Sequence, residues 1–188
     1  ALRAVVKLLK RHRDKWAIET GNEEARPISA IITTLAARAY EQIVAESKIH
    51  KRRPVAAMIE IVDRMGEFIE SGSQGIRIIN PKDDHENFGE KWNRPNGEGM
   101  RYQLAFNKWH VQARNDIRLG LHDFGSNTAF NEEMSRRFGV SKGMLTGLVA
   151  DMPSNWPLPG RKGVTHNDET LKALAGFSVA GSATQNKI

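Results

Sequence analysis

A chain of 188 residues with 39% hydrophobic and 27% charged residues can bury a core and reads as one globular domain with a tail. It contains no cysteine, which excludes disulfides, thiolate metal sites and a cysteine nucleophile and suits a reducing compartment; no apolar run approaches a membrane span, and no signal-peptide pattern opens the chain. The net charge of +6 suits a polyanionic partner, and it is unevenly placed, with Lys7, Lys10, Arg11 and Arg13 in one cluster and Lys48, Lys51, Arg52 and Arg53 in another.

Residues 1–18 set Leu2, Val5, Val6, Leu9 and Trp16 on one face and Arg3, Lys7, Lys10, Arg11 and Asp14 on the other, a spacing that predicts an amphipathic helix. The chain opens inside this pattern without a methionine, which reads as part of something longer. Gly21-Asn22 breaks the helix. Pro27 suits the first turn of a second helix, and Ile28, Ile31, Ile32, Leu35, Ala36, Ala39, Tyr40 and Ile43 make that helix apolar over most of its circumference, so a central position is expected. Pro54 opens a third helix with Val55, Met58, Ile59, Val62, Met65 and Ile69 inward, ended by Ser71-Gly72-Ser73. Ile76–Ile79 is the best strand candidate, closed by Pro81, and a polar loop follows to about Gly99.

A fourth helix is expected over about residues 100–122, carrying Leu104, Trp109, Val111, Ile117 and Leu121, and a fifth over about 127–138. From Asp151 the composition shifts. Pro153, Pro157, Pro159 and Gly160 surround Trp156 in what reads as an irregular arm, and the small polar residues from Ser178 onward read as a mobile end. The expected architecture is mainly α: a helical bundle over residues 1–150 with at most one short strand, then an arm and tail over 151–188.

Catalytic constellations are missing. A two-metal nucleotidyl-transfer site needs closely spaced carboxylates, and no Asp-x-Asp occurs. The adjacent acids Glu23-Glu24, Asp83-Asp84, Glu132-Glu133 and Asp168-Glu169 fall in loops or at helix starts, where acids are common. The histidines have no His-Glu-x-x-His spacing, and neither a phosphate-cradling Gly-rich loop nor a Gly-x-Ser-x-Gly elbow is present. The reading is therefore no catalytic residue and no metal ligand in this chain. Lys10 and Ser29 are the candidates for binding. Ser29 stands where the N–H groups and dipole of a helix N-terminus favour an anion, and Lys10 would add a point charge. Periodicity leaves a plainer alternative open, a solvated lysine and an ordinary first-turn serine. Asp83 and Asn87 have short side chains able to bond nearby backbone N–H groups and fix their loop.

Three separated motifs carry a family resemblance. Leu8-Leu-Lys-Arg-His-Arg-Asp14 followed by Arg26-Pro-Ile-Ser-Ala-Ile-Ile-Thr-Thr-Leu-Ala-Ala-Arg-Ala-Tyr-Glu-Gln42 resembles the C-terminal helical lobe of the cGAS/DncV-like nucleotidyltransferases (CD-NTases) of bacterial anti-phage CBASS systems, close to the SMODS-type branch. Asn80-Pro81-x-Asp83-x-x-x-Asn87 is similar to the Asp-Pro-x-Asp-Pro-x-x-Asn loop of oligoadenylate synthetases, with Asn80 for the first Asp and Asp84 for the second Pro. Phe88-Gly-Glu-Lys91-Trp92 is similar to the Glu-Asn-Phe-Ala-x-Lys-Trp run of the bacterial enzymes. The likeness runs from residue 1 to about 122.

The resemblance implies a bilobed, cytoplasmic bacterial enzyme that makes a cyclic di- or trinucleotide second messenger from NTPs, using Mg²⁺ held by an N-terminal polymerase-β-like lobe that this sequence lacks. By motif position it makes Lys10 and Ser29 contacts to the donor triphosphate. The implied partners are NTPs, the chain's own N-terminal lobe and, only through the product, a downstream effector; no membrane is implied and nucleic acid is not required. Where the animal members carry a base-stacking aromatic after the serine, this chain has Ala30. The competing reading is a non-catalytic, basic, helical nucleic-acid-binding module. A tRNA- or poly(A)-type nucleotidyltransferase is a weaker third, against which the Asn-Pro-x-Asp loop argues.

Overall fold

A computed structural model describes residues 2–46, 54–118 and 127–141. The second basic cluster, Lys48–Arg53, and the arm and tail expected over 151–188 lie outside the described residues, as does Leu121. The described fold is mainly helical: α1 (Leu2–Thr20), α2 (Ser29–Glu46), α3 (Pro54–Arg64), α4 (Glu98–Ile117) and α5 (Asn127–Phe138), with four short strands between α3 and α4. None of the described helices is long and apolar enough to cross a membrane.

The buried residues of α1 are Val5, Leu8, Leu9, His12, Arg13, Trp16 and Ala17, alternating steps of three and one that keep them on a single stripe. The helix stops at Gly21, whose φ of 64° is the left-handed conformation glycine adopts without steric cost. There the Asn22 N–H reaches the Ala17 carbonyl at 2.8 Å and satisfies one of the orphan acceptors of the helix end. α2 lies at the centre of the bundle, against α1, α3 and a 3₁₀ turn at Met65–Phe68, with Ile31, Ile32, Leu35, Ala36, Ala39 and Ile43 buried. Ile28, expected inside, is 44% exposed, because α2 begins at Ser29 and the chain is still entering the helix.

α3 carries Met58, Ile61 and Val62 into the core and gives way to the 3₁₀ turn at Met65, earlier than expected. The expected strand at Ile76–Ile79 is divided. β1 (Glu70–Gly72) pairs antiparallel with β2 (Gly75–Arg77), and β3 (Ile79–Asn80) pairs with β4 (Asp83–Asn87), with an irregularity in register between Ile79 and Asn80. Ile78, between the two hairpins, is fully buried and anchors them to the bundle. A 3₁₀ turn at Glu90–Asn93 then seats Trp92 against α4, its ring 5.2 Å from that of Phe106.

α4 buries Ala105, Phe106, Trp109, His110, Ala113, Asp116 and Ile117. Of the apolar residues it carries, Leu104 and Val111 are 49% and 56% exposed, because the aromatic pair Phe106 and Trp109 sets the roll of the helix. α5 spans the expected residues and packs against α1, with Phe138 at its end and Val140 just beyond it buried in the core.

Candidate phosphate-binding site

The short connection 21–28 returns the chain so that the start of α2 packs beside α1. The side chain that joins them is Arg13. Although charged, it is buried, and its guanidinium donates to the Pro27 carbonyl at 2.8 Å and to Ser29 Oγ at 3.2 Å while Nε donates to Asp14 at 2.9 Å. The first turn of α2 contains no acidic residue, so the positive end of its dipole is uncompensated locally. Ser29 itself is exposed.

Lys10 lies one helical turn before Arg13 on α1, partly buried, and makes no hydrogen bond or ion pair with another described residue. The residue brought directly to Ser29 is thus Arg13, with Lys10 next along the same side. Arg3, Lys7 and Arg11 are exposed and likewise without an ion pair among the described residues.

Asp83 and Asn87 occupy the two ends of β4, and the structure separates their roles. Asn87 Oδ1 accepts from the Ile78 N–H at 2.8 Å and the Gly89 N–H at 2.9 Å, while its Nδ2 donates to the Ile76 carbonyl at 3.0 Å. Asp83 accepts only from the His85 N–H, at 3.0 Å, in an exposed turn. Asn93 was not legible in the sequence as a partner. Its Oδ1 accepts from the Ile76 N–H at 2.7 Å and its Nδ2 donates to the Ile76 carbonyl at 2.8 Å, so a side-chain amide takes the place of a neighbouring strand.

A cleft of about 700 Å³ opens beside the start of α2, between Arg26, Pro27 and Ile28 on one side and Phe88, Lys91, Trp92 and Tyr102 on the other. Lys91 Nζ lies 6.0 Å from the centroid of the Tyr102 ring. The carboxylates of Glu24, Asp83, Glu86 and Glu90 share this cleft with only Arg26 and Lys91 as full cations, so its balance is acidic and a triphosphate would not be held in it. Among the described residues, no group of three or more His, Asp and Glu side chains could hold a metal ion. The described residues thus offer no site for the implied Mg²⁺, which the resemblance places on the N-terminal lobe.

Beneath the basic side of α1 runs a buried polar chain. His12 Nε2 lies 3.0 Å from Asp116 Oδ2, and Arg137 of α5 donates to Asp116 Oδ1. Burial pushes the Asp116 carboxyl up, but hydrogen bonds from His12 and Arg137 outweigh it and hold the group below the ordinary carboxylate range. Nearby, burial depresses His110, whose Nε2 donates to the Val62 carbonyl at 2.6 Å.

No family model matches the chain, and no curated protein matches its sequence.

Proposed function

We propose that this chain is the triphosphate-gripping helical lobe of a cGAS/DncV-like nucleotidyltransferase that makes a cyclic di- or trinucleotide for anti-phage defence. The observation that carries the reading is the meeting of α1 with the start of α2: Arg13 bonded to Ser29, a first turn without acids, and one turn away Lys10, without an ion pair among the described residues. Such an arrangement holds an anion by a helix terminus, a hydroxyl and an ammonium, and contributes by positioning and charge neutralisation rather than by proton transfer. Bond-making and the metal ions belong to the N-terminal lobe that the resemblance implies, and the product acts on a separate effector. With Ala30 unable to stack on a base, Phe88, Trp92 and Tyr102 provide an aromatic wall close to the start of α2.

The second reading, a basic nucleic-acid-binding module, is favoured by the exposed row Arg3, Lys7 and Arg11 on α1, without an ion pair among the described residues. Titrating the chain with inorganic triphosphate, ATP and a short DNA duplex separates the two. A charge-assisted contact to a phosphate is worth about 1.5–3 kcal/mol, so Lys10→Ala should weaken triphosphate and ATP binding by roughly ten- to a hundredfold. Lys7→Ala, which removes equal charge from the same helix, should have little effect. Equal, small losses from both substitutions would refute the grip, and duplex binding that depends equally on Arg3, Lys7 and Arg11 would establish the second reading.

A further inference from the structure

We propose that Asn96 is a site of spontaneous modification, where attack by the Gly97 backbone nitrogen removes the side-chain amide and leaves an aspartyl or isoaspartyl residue ahead of α4. Asn96-Gly97 is the one Asn-Gly pair in the sequence. It lies in an exposed turn, residues 95–97, that joins the 3₁₀ turn at Glu90–Asn93 to α4. Asn96 has a φ of 58° and is, among the described residues, the one non-glycine residue in the left-handed region. Neither its side chain nor the Gly97 N–H makes a hydrogen bond with another described residue. Asn22, Asn80, Asn87 and Asn93, by contrast, are each held by side-chain hydrogen bonds, and Asn107, Asn115 and Asn131 lie within helices, where the following N–H is engaged in the ladder. A Cβ at Gly97 would meet nothing within 4 Å, so the space beside the attacking nitrogen is open.

The chemistry needs only solvent water. The Gly97 nitrogen bonds to Asn96 Cγ and gives up its proton, the Cγ–Nδ2 bond breaks, and ammonia leaves a succinimide ring. Water entering at Cγ restores the ordinary main chain as aspartate. Water entering at the Asn96 backbone carbonyl leaves Gly97 joined through Cγ, an isoaspartyl linkage with a free α-carboxylate. Ring closure requires rotation about the Asn96 Cα–C bond. The turn is spanned by the exposed Arg94–Glu98 ion pair and by two backbone bonds, Glu98 N–H to the Pro95 carbonyl and Gly99 N–H to the Arg94 carbonyl. Both backbone bonds are 3.2 Å, the long end of the usual range. The isoaspartyl form adds a methylene to the main chain shortly before Gly99, which packs so closely on the Trp92 carbonyl that a Cβ would overlap it. Lengthening there displaces Trp92, which packs on Phe106 and lines the cleft, whereas the aspartyl form changes charge alone.

The test ages the full chain at mildly alkaline pH, folded and in urea, and maps it by proteolysis and mass spectrometry, with isoaspartate scored by an isoaspartyl methyltransferase. The expected result is loss of the Asn96 amide in the folded chain while Asn80, Asn87 and Asn93 stay intact over the same interval. In urea, where their hydrogen bonds are gone, those three lose their protection. The isoaspartyl fraction should show a displaced Trp92 indole resonance, and Asn96→Asp, which supplies the charge without the extra methylene, should not. An Asn96 amide that persists in the folded chain but is lost in urea would overturn the proposal, as would equal conversion of all four asparagines in the folded chain. A Trp92 resonance moved as far by Asn96→Asp as by the isoaspartyl linkage would overturn the coupling through the main chain.

Discussion

Asn87→Ala should be among the most damaging single substitutions in the hairpin region, and its cost follows from counting what the amide holds. The Ile78 N–H and the Gly89 N–H both end on Asn87 Oδ1, and both residues are buried, so neither donor can recover a bond from water. The Ile76 carbonyl loses less, because Asn93 Nδ2 remains bonded to it at 2.8 Å. Leaving a buried donor unpaired costs about 1–3 kcal/mol, which puts the total for two at about 2–4 kcal/mol once local relaxation is allowed. For a chain of this length each kcal/mol moves the midpoint by about 2–4 °C, so Tm should fall by roughly 5–15 °C. The comparison is Asp83→Ala. It removes one bond in a solvated turn and should cost less than about 0.5 kcal/mol, the range of an ordinary surface substitution. Thermal and urea denaturation followed by circular dichroism read both. Equal destabilisation by the two variants, or an Asn87→Ala protein within error of wild type, would refute the accounting. Impaired nucleotide binding at unchanged stability would move Asn87 from the scaffold to the ligand.

Asp116→Ala should destabilise by about 1–3 kcal/mol, measured by urea unfolding, because it leaves the buried His12 Nε2 without its acceptor, whereas Arg137, partly exposed, keeps its ion pair with Glu133. Gly99→Ala should destabilise on the same assay, since a Cβ there would overlap the Trp92 carbonyl and push the 3₁₀ turn away from α4. Stability should also fall on acidification from pH 7.5 to pH 5. Burial holds His110 below its ordinary value of about 6.5, so the unfolded chain takes up the proton first; the contribution is complete above that value and is lost as pH falls towards the folded one. The Asp116 carboxyl is depressed too, so its contribution is complete above its ordinary carboxylate value and is lost only in more acidic solution. Midpoints that stay constant or rise between pH 7.5 and pH 5, or a His110→Gln variant with an undiminished slope over that interval, would contradict this.

The helices were legible because apolar spacing follows the helical period wherever one face is buried, as the single stripe of α1 shows. The hairpins were not. β4 reads Asp-Asp-His-Glu-Asn, and all but the last residue are exposed, so no inside/outside alternation marks it as a strand; it is held by pairing with β3 and by the Asn87 amide. In α4 apolar residues occur on both sides, Leu104 and Val111 exposed and Phe106 and Trp109 buried, and only the packing of Trp92 on Phe106 chooses between them. In the candidate site, the serine was placed correctly at the start of α2, but the charged partner meeting it is Arg13. His12 and Arg13 were invisible as buried groups because they sit in an unbroken basic run, and the partner of His12 is 104 positions away in the chain.

The burial of those two residues is what makes the basic run of α1 more than a charged surface. His12 and Arg13 are adjacent in sequence and so project about 100° apart around the helix. His12 is anchored towards α4 and α5 through Asp116, and Arg13 towards α2 through the Pro27 carbonyl and Ser29. Two anchors pointing in different directions fix the rotation of α1 about its axis, which a single apolar stripe would constrain more loosely. The side chain of Lys10 starts one turn along α1 from Arg13, the residue bonded to Ser29 at the start of α2. Lys7, a further turn away, has no such relation to that terminus. A solvated basic surface needs neither anchor, since its charges act at a distance and tolerate rotation of the helix. The expected contrast between Lys10 and Lys7 therefore rests on buried hydrogen bonds, and the count of positive charges alone would not produce it.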